Sequence, residues 1–114
     1  MESAYFDYAA TTRVDQRVAD IVLHYMREEF ANSGSRTHSQ GVAARNAVEL
    51  ARSQVAEVVD CDVDEVIFTS GATEADNIAI LGLAEHAQST GRMHIITSSI
   101  EHKAVLEPIE HLES

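Results

Sequence analysis

The residues best placed to do chemistry stand in Glu65-Val-Ile-Phe-Thr-Ser-Gly-Ala-Thr-Glu-Ala-Asp-Asn77, where the hydrophobic period changes midway. Residues 65–69 read as a short buried strand, and from Glu74 onward Ala75, Ile78, Ala79 and Gly82 recur at helical spacing. Between them Ser70, Gly71, Ala72 and Thr73 are small residues suited to a tight turn. A helix opening there presents unpaired backbone N–H groups, the positive end of its dipole and the hydroxyls of Ser70 and Thr73, a combination that binds phosphate. The same residue types also serve as plain helix caps, and spacing alone favours the cap.

A second group follows the apolar run Met93-His-Ile-Ile-Thr-Ser98. There Ser99-Ile-Glu-His-Lys103 brings His102 and Lys103 to the carboxyl end of a predicted strand, on the edge where open α/β sheets bind ligands. Taken by itself, one histidine of six reads as an exposed loop residue. The polar residues 31–38 are either a functional loop or a helix-to-helix connection, with Thr37 or Ser39 available to cap the next helix. Asp60, Asp62 and Asp64 alternate like calcium ligands, but no glycine or later glutamate stands at loop spacing, so no metal site is expected. Negative charge on both sides of Cys61 disfavours a thiolate, which argues against a nucleophilic role.

The elements that must position these residues follow from periodicity. Residues 1–14 read as an extended N-terminal arm. Val14, Val18, Ile21, Val22, Tyr25 and Met26 predict a helix from near Asp15 to near Phe30. Ala44, Val48, Ala51, Val55 and Val58 or Val59 predict a second over about 40–59, and a third runs from Glu74 to about Gly91. Val105, Ile109 and Leu112 predict a last helix over 104–112, with Pro108 tolerable only in its first turn. Strand, helix and strand in succession make a βαβ unit, hence an α/β class with parallel pairing. Two strands leave such a sheet unfinished, so the chain reads as a fragment whose residues 15–114 begin a larger domain.

Composition is that of a folded soluble chain, with 45% hydrophobic and 24% charged residues. Nineteen acidic against eight basic side chains give a formal charge of -11, which argues against nucleic acid or an anionic membrane as partner. No apolar run reaches the roughly 18 residues of a membrane span, the first residues lack a signal peptide's pattern, and a single cysteine suits a reducing compartment. A cytoplasmic location is expected.

Tyr5-Phe-Asp-Tyr-Ala-Ala-Thr-Thr12, the 65–77 stretch and Ile95-Ile-Thr-Ser-Ser-Ile-Glu-His-Lys-Ala-Val105 together resemble, in the same order, the N-terminal part of cysteine desulfurases in the class V aminotransferase group. The resemblance implies a pyridoxal-phosphate enzyme of fold type I: a homodimer whose large domain is a three-layer αβα sandwich around a mostly parallel sheet. It implies that Ala72 and Thr73 bind the cofactor phosphate, and that His102 stacks on the pyridoxal ring and moves protons. Lys103 is not the cofactor-anchoring lysine, which in the family lies in a Ser-x-His-Lys motif absent from these 114 residues. The family's nucleophilic cysteine, its pyridine-pairing aspartate and its substrate-binding arginine are absent too. Residues 32–38 resemble a family Asn-Pro-Ser-Ser-x-x-His pattern, with Ser33 in place of proline.

For the intact parent the resemblance implies conversion of L-cysteine to L-alanine with a persulfide left on the enzyme. The sulfur passes to an iron–sulfur scaffold or another sulfur-acceptor protein. The fragment by itself is expected to be inactive. Alternatives are a selenocysteine lyase or another class V aminotransferase, or a non-catalytic truncated paralogue acting as a binding module.

Overall fold

The structure, a computed structural model, describes residues 4–113, so the first three residues of the expected arm lie outside the described residues. The chain divides into two compact units, Met1–Val66 and Ile67–Ser114.

In the first unit, the start of the chain carries a turn in which the Asp7 carbonyl accepts the N–H groups of Ala10 and Thr11 at 3.1 and 3.4 Å. Helix α1 spans Gln16–Arg27. Asp15 caps it by accepting the Arg17 N–H at 2.9 Å, while His24 and Arg27 in the last turn oppose the negative end of the dipole. Its apolar residues fall at helical spacing, yet none is buried.

Helix α2 spans Ser39–Val59, and its cap is His38 rather than Thr37 or Ser39: the imidazole Nδ1 accepts the Gly41 N–H at 3.0 Å. Its buried residues are Gly41, Ala44 and Ala56, whereas Val58 is 85% exposed. Of the expected stripe, Ala44 is buried and Val48 and Ala51 are half-buried, whereas Val55, Val58 and Val59 stay exposed. Asp60 ends the helix in the left-handed region at φ 55°. A 3-10 turn over Val63–Glu65 comes next, closed by the Glu65 carboxylate accepting the Asp62 N–H at 2.9 Å. The Arg52 guanidinium donates to the Val66 carbonyl and ties α2 to the end of this turn.

In the second unit, α3 spans Ala72–Gly82, α4 Ala84–Thr90 and α5 Lys103–Glu113. The single helix expected from Glu74 to about Gly91 is thus divided at Leu83, whose ψ of -8° tightens the chain just after Gly82, a poor helix former. Pro108 lies mid-helix in α5, not in its first turn. It removes the N–H that Ala104 would otherwise receive, but Ala104 and Pro108 share one buried face of the helix that packs on α3. Burial of the ring offsets the lost hydrogen bond.

No β-strand forms among the described residues. Among the described residues, 66–69 and 93–98 take no regular element. A strand is defined by its ladder, and no ladder is assigned to either run among the described residues. Ile67 and Ile96 are accordingly 64% and 90% exposed instead of buried.

Candidate functional site

Helix α3 opens at Gly71, which has no side chain to cap it, and neither Ser70 nor Thr73 supplies a side-chain cap. The first acceptor bond of the helix runs from the Ala75 N–H to the Gly71 carbonyl at 3.2 Å. The N–H groups of Ala72, Thr73 and Glu74 therefore have no intrahelical acceptor, as the first turn of any α-helix requires. The Thr73 hydroxyl makes no hydrogen bond among the described residues, while its carbonyl accepts the Asn77 side-chain amide at 2.8 Å. Ser70 is already engaged: the Glu74 carboxylate accepts its backbone N–H at 2.6 Å and its hydroxyl at 2.7 Å. Those two bonds, the backbone one first, hold the Glu74 carboxyl below the usual carboxylate range. The donors left open in the first turn are thus the N–H groups of Ala72, Thr73 and Glu74 and the Thr73 hydroxyl.

The second group sits at the head of α5. The Val105 and Leu106 N–H groups bond the His102 carbonyl at 2.9 and 3.2 Å, and the Ala104 N–H donates to His102 Nδ1 at 3.1 Å. With Nδ1 accepting, the proton of the neutral ring resides on Nε2. The histidine is thereby both a cap and an oriented imidazole.

Thr73 and His102 line one cleft of ≈ 320 Å³. Its α3 wall is Thr73, Asn77 and Leu81 at four-residue spacing, and its α5 wall includes Glu107 and His111 beyond Lys103. The volume falls at the small end of the roughly 300–1,000 Å³ typical of small-molecule sites. Of the residues singled out in the sequence, the cleft brings together Thr73, His102 and Lys103; Ala72 is not part of its lining. Asn77 and Glu107 belong to the walls without having stood out in the sequence as site residues, although their i+4 spacing from Thr73 and Lys103 is the signal that marks them.

The polar loop belongs to the first unit and is held from inside it. Arg45 donates to the carbonyls of Ser33 and Ser35 at 3.3 and 3.1 Å, the Asn32 carboxamide accepts the Gly34 N–H at 2.8 Å, and His38 Nε2 lies 2.9 Å from the Ser35 hydroxyl. Cys61 is a half-buried free thiol with Sγ 3.4 Å from the Asp62 carbonyl.

The family described as aminotransferase class-V matches residues 4–114. Cysteine desulfurase IscS of Methylococcus capsulatus is 52% identical over 110 residues, which cover 96% of this chain and 27% of that protein. Cysteine desulfurase IscS of Shewanella amazonensis is 53% identical over 111 residues, with the same shares. Among solved structures, the crystal structure of DndA from Streptomyces lividans superposes with a TM-score of 0.75 at 64% identity, covering 96% of this chain and 30% of that one. The chain therefore spans 27% of the length of these curated relatives.

Proposed function

Because the chain belongs to the class-V aminotransferase family, we propose that it is the part of a pyridoxal-phosphate-dependent cysteine desulfurase that carries the cofactor-phosphate turn and the ring-facing histidine. The observation that carries this reading is that Thr73 and His102 line the same cleft. The donor set suits the group. Unpaired first-turn N–H groups, those of Ala72 and Thr73 among them, and an unpartnered hydroxyl meet a phosphate, and an oriented imidazole lies in the same cleft to meet an aromatic ring. When bound, pyridoxal phosphate supplies an electron sink for chemistry at the substrate's α-carbon.

The chain's own residues bind, orient and move a proton. The N–H groups of Ala72 and Thr73 with the Thr73 hydroxyl hold the phosphate. The Ala104 N–H fixes His102 through Nδ1, which leaves Nε2 as the atom that holds or releases a proton. Lys103 shares the cleft but is not assigned as the covalent anchor. In the whole protein, residues 66–69 and 93–98 join a parallel sheet within a three-layer αβα large domain entered through an N-terminal arm. That protein converts L-cysteine to L-alanine, hands sulfur to an acceptor such as an iron–sulfur scaffold, and works as a cytoplasmic homodimer.

The test is a binding titration of the chain with pyridoxal phosphate and with phosphate-free pyridoxal, followed by dialysis. The phosphate form is expected to bind and then wash out, and Thr73→Val to weaken it about tenfold, the worth of one charge-assisted hydrogen bond. Equal affinity for both forms overturns the phosphate turn. An absorbance band that survives dialysis, or alanine released from L-cysteine by the chain alone, overturns the assignment of Lys103 and of the fragment as inactive.

A further inference from the structure

We propose that Glu74 is a positioning residue for the phosphate turn: by holding Ser70, its carboxylate fixes the direction in which the Ala72 and Thr73 N–H groups point. The inference rests on the reading of that turn as a phosphate site. What holds the corner in place is otherwise missing from its backbone. Gly71 is in extended conformation at φ 165°, open to any residue, and a Cβ added there would meet nothing within 4 Å. Neither left-handed geometry nor packing imposes the turn. Side chains do so from both sides. Glu74 grips Ser70 through both its N–H and its hydroxyl, and the Thr69 hydroxyl donates to the Gly71 carbonyl at 3.1 Å, the same oxygen that accepts the Ala75 N–H. A turn fixed in this way loses little further freedom when an anion arrives.

The opposing effect is that a carboxylate beside an anion site repels the anion and occupies two donors otherwise open to it. Both donors belong to Ser70, and the first-turn N–H groups of Ala72 and Thr73 stay open. The ordering effect and the competition differ in sign, so the affinity of the variants decides between them.

The experiment follows the backbone amide resonances of Ala72 and Thr73 in the 114-residue chain during titration with inorganic phosphate and with pyridoxal phosphate. Four forms are compared: the native chain, Glu74→Gln, Glu74→Asp and Glu74→Ala. Glu74→Gln keeps an acceptor oxygen at the same reach and is expected to bind within about threefold of the native chain. Glu74→Asp, one methylene short, and Glu74→Ala are expected to bind about tenfold more weakly, because neither reaches both Ser70 donors and the turn must then be ordered by the ligand. The resonance of the Ser70 amide should move in Glu74→Ala before any ligand is added. Native affinity in both short variants, or tighter binding in either, overturns the positioning role while the phosphate site stands. No phosphate-dependent shift at Ala72 and Thr73 in the native chain overturns the site, and the positioning role with it. Glu74→Gln reads the role without relying on a variant that unfolds the head of α3.

Discussion

Nδ1 of His102 carries the cap of α5 while Nε2 carries the proposed proton, so the two roles of one ring separate by substitution. Asparagine is a good N-cap and keeps an acceptor near the Ala104 N–H; alanine keeps neither. His102→Asn is expected to leave the stability of the chain within about 0.5 kcal/mol of native, and His102→Ala to cost about 1 kcal/mol, read from denaturant midpoints. In the whole protein both variants should lose alanine production alike. An asparagine variant that still turns over would show that His102 is a cap and nothing more. That Thr73 and His102 stand on the two walls of one cleft was legible, because each follows a predicted strand in order along the chain. Their supports were not: Glu74 reaching back to Ser70, and Arg45 reaching Ser33 ten or more residues away, are contacts that composition and period do not encode. The Ser70 and Glu74 pairing has a faint signal, a hydroxyl and a carboxylate one turn apart across a predicted helix start. Steric need was hidden too, since a Cβ on Gly41 would stand 2.7 Å from the Ser35 carbonyl oxygen.

Among the elements, helices are legible because amphipathic spacing is local, and α1, α2 and α5 begin within two residues of their expected starts. What period does not show is where a helix divides, as at Leu83, or whether its apolar face has a partner. The expected strands are absent among the described residues for a related reason: an apolar run predicts that a ladder is wanted, and only the rest of a sheet supplies one. The start of α1 offers a test at this scale. The Asp15 carboxyl is held below the usual carboxylate range by its side-chain bond to Arg17 and then by the Arg17 backbone N–H. A depressed folded-state value means that the contribution is present above the ordinary value of 3.8 and is lost as pH falls through the lowered one. Far-ultraviolet circular dichroism from about pH 5 to pH 2 should show α1 losing helix in acid, and Asp15→Asn, which caps without charge, should flatten that part of the curve. The same acid slope in both forms would mean that the carboxylate is not what holds the helix start.

For the whole chain the deciding comparison is between what is buried and what is left outside. The buried alanines Ala44, Ala56 and Ala104 remove little surface from water, and no large hydrophobic side chain is fully buried among the described residues. Phe6, Phe30, Ile96 and Ile100 are 87%, 76%, 90% and 90% exposed. Each such side chain is worth about 1.5–3 kcal/mol if buried, so the drive to cover them exceeds what the alanine seams contribute. Against it stands a formal charge of -11, which makes copies repel at low salt and is screened within about 8 Å at physiological ionic strength. The chain alone is therefore expected to bind a hydrophobic dye and to sediment as larger species as salt is raised. Ile96→Lys, which puts a charge on an exposed apolar run with no ladder partner, should lower that association. Sedimentation velocity at about 20 mM and 500 mM salt reads both effects, since the Debye length shrinks from tens of ångströms to a few between them. A monomer at both salts that leaves the dye dark would mean that the apolar runs are covered within the chain, and the proposal that they complete a larger sheet would fall with that result.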